Sequence, residues 1–204
     1  IIVNDRLTYY KETHIGDYNS FEIALPNQQI EITGEKRDWE TCLTLNSNWG
    51  YSNNDKNFKQ VSTIINAILR CTCMNGNLLL NVGPDALGRI PDESSMLLKN
   101  IGEWMQTYSE SVYGAGSSEY TAPFGCYYTQ KGNIIYLHFP VPPGCDIILP
   151  QLNGKIENIT MLCDGSDVPM ITYWGSELLR QDEIRIRPPA SMNRMMDVLK
   201  IKLK

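Results

Sequence analysis

Leu78-Leu79-Leu80-Asn81-Val82-Gly83-Pro84 is the stretch on which the fold turns. Four of its first five residues are apolar with no alternation, so a strand made from it is expected to be covered on both faces. Gly83-Pro84 ends it, because proline has no amide proton and a fixed φ. Upstream, Phe58, Val61, Ile64, Ile65, Ile68 and Leu69 recur at helical spacing, with Asp55 as the expected N-cap and Gly76 as the expected stop. Before that helix, Thr41-Cys42-Leu43-Thr44-Leu45 reads as a second strand and Ile1-Ile2-Val3 as the first. Downstream, a further helix opens at Pro91-Asp92 and aligns Leu97, Leu98, Ile101, Trp104 and Met105 on one face. Strands and helices in alternation, with apolar strands, predict a parallel sheet covered by helices.

The pattern changes after Gly114-Ala115-Gly116-Ser117-Ser118. Short strands follow, separated by turn residues. Tyr127-Tyr128-Thr129 and Ile134 to Phe139 flank Gln130-Lys131-Gly132-Asn133, a hairpin signal. Ile147 to Leu149, Ile156 to Leu162, Ile184 to Ile186 and Val198 to Leu203 continue the series, with Asn153-Gly154 and Asp164-Gly165 as turns. The chain therefore reads as α/β plus all-β: residues 1–115 with a parallel sheet, and residues 116–204 as a small antiparallel β-sandwich. Three parallel strands cannot close a (β/α)8 barrel of about 250 residues, and a three-stranded sheet with bare edges invites aggregation. A buried strand at residue 1 is expected to be preceded by further sequence.

Composition narrows the function. Of the 204 residues 42% are hydrophobic and 20% charged, enough for a packed core and against disorder. The net charge of −5 argues against nucleic-acid or anionic-membrane partners, which need clustered cations. No apolar run approaches the ~20 residues of a membrane-spanning helix. Cys42, Cys71, Cys73, Cys126, Cys145 and Cys163 form no CxxC pair, and with only His14 and His138 no zinc spacing arises. The cysteines read as small buried hydrophobes. Gly83-Pro84 lacks GxGxxG and the Walker lysine, so nucleotide binding is rejected. Neither a cofactor nor a metal is implied.

Active sites of parallel α/β folds lie at the C-terminal ends of strands. That rule selects Asn4-Asp5-Arg6, Asn46 to Tyr51 and Gly83-Pro84-Asp85, together with the carboxylates Glu12, Asp17 and Glu22 and the imidazole of His14 in the long segment after the first strand. Val3-Asn4-Asp5-Arg6, Gly16-Asp17-Tyr18-Asn19-Ser20-Phe21-Glu22, Trp39 through Tyr51, Gly76 through Pro84, and Ile101-Gly102-Glu103-Trp104 with Glu110 to Gly114 occur in order and at compatible spacing. In these blocks the chain resembles the α-L-fucosidases of glycoside hydrolase family 29, closely to about residue 116 and more weakly beyond.

The resemblance implies the C-terminal part of a (β/α)8 barrel over residues 1–115, followed by the family's β-sandwich. It implies a retaining mechanism with two carboxylates on a fucosylated glycan or glycoside. Glu22 matches the acid/base, Arg6 a sugar-contacting arginine, and Trp49 an aromatic lining the fucose pocket. His14 is a further candidate for a sugar hydroxyl. The family's nucleophilic aspartate precedes the Asn-Asp-Arg block, so no residue here matches it; the N-terminal barrel half is expected in the same or a companion chain. Export to a periplasmic, secreted or lysosomal compartment is the expectation that goes with glycan-degrading fucosidases.

Phe21 stands where family members often carry proline, which loosens the register at Glu22. Glu12, Asp17 and Glu40 are its rivals. Other readings stay open: Glu22 as a solvated carboxylate, Arg6 with Asp5 as a surface ion pair, Trp49 and Trp39 as core, and Met192 to Met196 as packing. The Asn158-Ile159-Thr160 sequon carries little weight alone. A non-catalytic carbohydrate-binding or scaffolding module is the alternative to an enzyme.

Overall fold

A computed structural model describes residues 1–7, 16–26, 28–32, 34–172, 178–192 and 196–204. The chain divides into two units, Ile1–Glu103 and Trp104–Lys204. In the first, the elements are β1 (Asn19–Glu22), β2 (Glu31–Ile32), β3 (Glu35–Lys36), β4 (Trp39–Thr44), α1 (Val61–Thr72) and β5 (Gly76–Asn81). α2 (Asp92–Tyr108) begins in this unit and ends in the next. β1, β4 and β5 form a parallel sheet in that order, and β2 pairs with β3 as an antiparallel hairpin.

Register and alternation divide the parallel sheet into two unlike faces. Asn19 pairs with Trp39 and Trp39 with Gly76, so these residues share one face with Thr41 and Leu43. That face is closed: Trp39 is 1% exposed, Thr41 and Leu43 are buried, and α1 packs on β5 with Ile64, Ile65 and Leu69 inside. The Trp39 indole donates to the carbonyl of Met74, in the turn that follows α1, at 3.0 Å. The opposite face carries Ser20, Glu22, Glu40, Cys42, Leu79 and Asn81, and there Leu79 remains 53% exposed.

Close packing of the first face depends on Gly76. A Cβ at that position would lie 2.2 Å from Trp39 Cε2, in the middle of a buried and hydrogen-bonded ring. Gly76→Ala is expected to lower stability by about 1–3 kcal/mol, the range for overpacking. A downward shift of the urea midpoint with an unchanged m-value would show it.

Several expectations are corrected here. Ile1-Ile2-Val3 is not a strand: Ile1 and Ile2 are exposed, and the segment meets the sheet only through a parallel bridge from Asn4 to Tyr18. Asp55 does not cap α1, which starts after Gln60; its carboxylate instead binds the preceding loop. Gly76 opens β5, and the helix stops in the turn at Asn75, which takes φ 55°. Leu98 points to solvent, while Ile101, Trp104 and Tyr108 are buried.

The second unit contains β6 (Gly116–Ser117), β7 (Tyr127–Lys131), β8 (Ile134–His138), β9 (Ile147–Leu149), β10 (Ile156–Met161), β11 (Met170–Ile171), β12 (Ile184–Ile186) and β13 (Val198–Leu203). Five strands pair antiparallel in the order β10-β13-β8-β7-β6, and three in the order β11-β12-β9. Only Gly132-Asn133 turns the β7–β8 hairpin, with Gly132 at φ 58°, so Gln130 and Lys131 extend β7. Tyr128, Leu137, Leu199 and Ile201 from the larger sheet and Leu149, Ile184 and Ile186 from the smaller share one apolar core. Met192 and Met196 are buried; Met195 lies outside the described residues. Among the described residues no disulfide joins the cysteines. Cys71 is buried as expected of a small hydrophobe, but Cys145 is exposed.

His138 is fully buried in this unit. Thr129 Oγ1 donates its one proton to the Ser111 carbonyl at 2.7 Å and lies 2.9 Å from His138 Nε2. The hydroxyl is thus the acceptor for Nε2–H, which leaves Nδ1 unprotonated and buried without a hydrogen-bond partner. Burial pushes the His138 pKa down to about 3. An unfolded histidine titrates near ~6.5, so on acidification the unfolded chain takes up the proton first. The stability is whole above ~6.5 and falls progressively toward pH 3. At pH 5 this one group is expected to cost about 2 kcal/mol relative to pH 7.5. Urea unfolding at the two pH values should show that difference shrinking in His138→Gln.

Candidate active site

The C-terminal ends of the parallel strands gather the polar groups. Gly16 lets the chain approach Asn4: its φ is +119°, and a Cβ there would lie 2.7 Å from the Asn4 carbonyl carbon. Beyond that contact Asp5 binds β1 twice, accepting from Asn19 Nδ2 at 2.6 Å and from the Ser20 amide at 3.0 Å. Asn4 Oδ1 accepts the Arg6 amide at 3.2 Å. These bonds set Arg6 beside the end of β1, where its Nη1 donates to Glu22 Oε1 and its Nη2 reaches the Ser20 carbonyl at 3.4 Å. The hydrogen bond to Glu22 is the first cause that raises Arg6 above its ordinary pKa. Both side chains remain partly open to solvent.

Glu22 ends β1, and the next residue turns the chain sharply. Ile23 takes φ 62°, a costly conformation for a β-branched residue, and β4 holds it there through the Ile23 amide to the Cys42 carbonyl at 2.9 Å. Strain of this kind concentrates at functional sites. The rivals of Glu22 have other bonds. Asp17 accepts the Val3 amide at 2.7 Å, and Glu40 accepts the Ser20 hydroxyl at 3.1 Å. His14 and Glu12 lie outside the described residues.

Trp49 sits in the loop after β4 and is 39% exposed. Asn81, at the end of β5, donates to the Trp49 carbonyl at 2.7 Å. A Cβ on Gly83 would lie 2.7 Å from the Gly50 carbonyl carbon, so glycine is what allows this loop to lie against the end of β5. Asp55 braces the same loop from the other side. It accepts from the Ser47 amide at 2.9 Å, Asn48 Nδ2 at 2.7 Å and the Asn57 amide at 3.0 Å, and the last of these is the first cause that lowers its pKa. Lys59 donates to the Asn46 carbonyl at 2.8 Å, and burial lowers its pKa.

Next to this loop, at the ends of β4 and β5, lies a cleft of about 350 Å³. Asn46, Tyr51, Ser52, Phe58 and Asn81 contribute to its wall; Arg6, Glu22 and Trp49 do not. The structure therefore joins Arg6 to Glu22 directly and places Trp49 on a neighbouring braced loop. The sequence offered Asp5 as a possible ion-pair partner of Arg6, Asn81 as part of a strand and Asp55 as a helix cap, and none of the three as a brace of the site. Asn81 had a signal, being the one polar residue inside an apolar run; Asp5 had only its place in the Asn-Asp-Arg block. No group of three or more His, Cys, Asp or Glu side chains set to hold a metal occurs among the described residues.

Residues 1–110 match the sequence model of the family described as Alpha-L-fucosidase. The chain belongs to the α-L-fucosidase family. An α-L-fucosidase from Dictyostelium discoideum is 30% identical over 166 residues, covering 77% of this chain and 35% of the relative. Among solved structures, α-L-fucosidase isoenzyme 1 from Paenibacillus thiaminolyticus superposes with a TM-score of 0.91 at 33% identity, covering the whole of this chain and 50% of that one. A glycoside hydrolase family 29 α-L-fucosidase from Bacteroides thetaiotaomicron gives a TM-score of 0.86 at 25% identity, covering all of this chain and 48% of the other. This fucosidase-family chain thus spans about a third of the curated relative and about half of each solved structure.

Proposed function

We propose that residues 1–204 carry the acid/base part of a retaining α-L-fucosidase, which removes α-linked L-fucose from glycans, and that the nucleophile is supplied from outside this chain. The observation that carries the reading is the contact between Arg6 and Glu22 at the ends of adjacent parallel segments, in a chain of the α-L-fucosidase family. In the first step the Glu22 carboxyl protonates the glycosidic oxygen as its bond to the anomeric carbon breaks and the nucleophile bonds to that carbon. In the second, the Glu22 carboxylate takes a proton from water, whose oxygen displaces the nucleophile and releases fucose with retained configuration.

In this scheme Arg6 holds Glu22 at the end of β1 through the hydrogen bond from its Nη1 to Oε1, and its guanidinium can also donate to a sugar hydroxyl. The pair is solvent-facing and weak enough to be exchanged.

The same reading treats residues 1–115 as the last part of a (β/α)8 barrel and 116–204 as a β-sandwich. What supports it is a parallel sheet closed by α1 on one face, with Ser20, Glu22, Glu40 and Leu79 on the other, and two antiparallel sheets around one core. Replacing Glu22 by Gln and comparing a fucosylated glycan with an aryl fucoside tests the assignment.

A further inference from the structure

We infer that Thr41 is a positioning residue for Glu22: from the opposite face of the sheet, its hydroxyl closes the turn that presents the carboxyl group. The inference rests on the reading of Glu22 as the acid/base.

Thr41 and Glu22 stand on opposite faces of one sheet. Thr41 pairs with Phe21 across β4 and β1, so its side chain lies on the closed face with Trp39; Glu22, one residue further along β1, belongs to the other face. Thr41 is fully buried. A buried hydroxyl takes a hydrogen-bond partner, and this one faces two carbonyls, one on each side of the Glu22-Ile23 pair. Its Oγ1 donates to the Ala24 carbonyl at 2.8 Å and lies 3.5 Å from the Phe21 carbonyl. The chain passes Thr41 at Phe21, runs through Glu22 and Ile23, and returns to the same oxygen at Ala24.

That return accounts for the backbone of Ile23. A β-branched residue at φ 62° is strained, and its side chain is 65% exposed, so backbone bonds rather than packing hold it. The Ile23 amide is tied to the Cys42 carbonyl at 2.9 Å, and the next residue is tied to Thr41. The entry to the turn is anchored by Phe21, which meets Trp39 edge-on with ring centres 6.0 Å apart. Past the turn, Arg70 of α1 reaches the Pro26 carbonyl at 3.4 Å and keeps the chain on the helix side. Without the Thr41 hydroxyl, the carbonyl of the exposed Ala24 turns to water and Ile23 relaxes to negative φ. Glu22 is then left to its solvent-facing pair with Arg6. A general acid works only within hydrogen-bond reach of the departing oxygen. A displaced Glu22 therefore loses most on substrates with poor leaving groups.

The test compares kcat/KM, in the active enzyme that contains this chain, on a fucosylated glycan and on aryl fucosides of increasing phenol acidity. Thr41→Val keeps the branched shape and removes the hydroxyl. It should lower kcat/KM on the glycan by about tenfold and leave the most acidic aryl fucoside within about twofold of wild type, the signature of a misplaced acid. Thr41→Ser, which keeps the hydroxyl, should recover most of the loss. A merely structural role lowers the active fraction and scales every substrate alike. Ile23→Pro breaks the same turn from an exposed position, since proline is confined to negative φ and has no amide proton for the Cys42 carbonyl. It should show the same substrate dependence, with a glycan loss of up to about 10²-fold. Equal losses on all substrates in Thr41→Val, or no recovery in Thr41→Ser, overturn the inference. So do wild-type substrate ratios in Ile23→Pro, even where Thr41→Val does not fold. Glu22→Gln, measured in parallel, separates the two readings. Where it discriminates between substrates and Thr41→Val does not, Thr41 loses its role and the acid/base assignment stands. Where Glu22→Gln itself does not discriminate, the assignment of Glu22 falls and the role of Thr41 falls with it.

Discussion

Residues 1–204 assayed alone should give no turnover of an aryl α-L-fucoside. A retaining glycosidase needs two carboxyl groups about 5–5.5 Å apart across the scissile bond, one to attack and one to donate a proton. In the proposed reading Glu22 is the donor. The nearby carboxylates have other partners: Asp5 holds Asn19 and Ser20, Asp17 holds Val3, and Glu40 accepts from Ser20. An acid without a nucleophile leaves most of the barrier in place. Adding the polypeptide that bears the nucleophile should bring activity from background to a measurable rate. Robust turnover by a mass-verified 204-residue chain would show that the nucleophile lies within it.

In the active enzyme that contains this chain, Glu22→Gln should lower kcat/KM on a natural fucosylated glycan by on the order of 10²–10⁴-fold, the usual weight of an acid–base group. Its effect on an aryl fucoside with an acidic phenol should be far smaller. A good leaving group departs without help, so the first step survives the substitution. Water attack still needs a base, so the second step becomes limiting and the glycosyl-enzyme accumulates as a burst. Equal losses on the two substrates would move the role to Glu12, Asp17 or Glu40, each open to the same substitution.

The apolar runs were the legible part of the fold. Leu78 to Leu80 announced β5, and the three-and-four spacing of Val61, Ile64, Ile65, Ile68 and Leu69 announced α1. Gln130 to Asn133 marked the β7–β8 turn, although its first two residues belong to β7. β1 was missed because Asn19-Ser20-Phe21-Glu22 is polar on the face that carries Ser20 and Glu22, so no hydrophobic period marks it. Ile1-Ile2-Val3 erred in the other direction: β-branched residues favour strands, but among the described residues the segment has a bridge at Asn4 and a bond from the Asp17 amide to the Val3 carbonyl, too few for a strand.

The site was legible through family resemblance more than through chemistry. Glu22 alone is an exposed glutamate in a polar stretch. What singles it out physically is Arg6, sixteen residues earlier, and that pairing depends on Asp5 and Gly16 bringing two chain segments side by side. Such a contact has no period and no spacing rule. Asn81 belongs to the same class, since its bond to the Trp49 carbonyl crosses two loops.

Azide rescue of Glu22→Gln tests the central claim most directly. Azide attacks the glycosyl-enzyme without needing a base. With an aryl fucoside it should restore turnover in Glu22→Gln, and NMR of the product should show a fucosyl azide with the configuration of the substrate. Absence of rescue, a product of inverted configuration, or the same rescue in Glu40→Gln rather than Glu22→Gln would contradict the assignment of Glu22 as the acid/base.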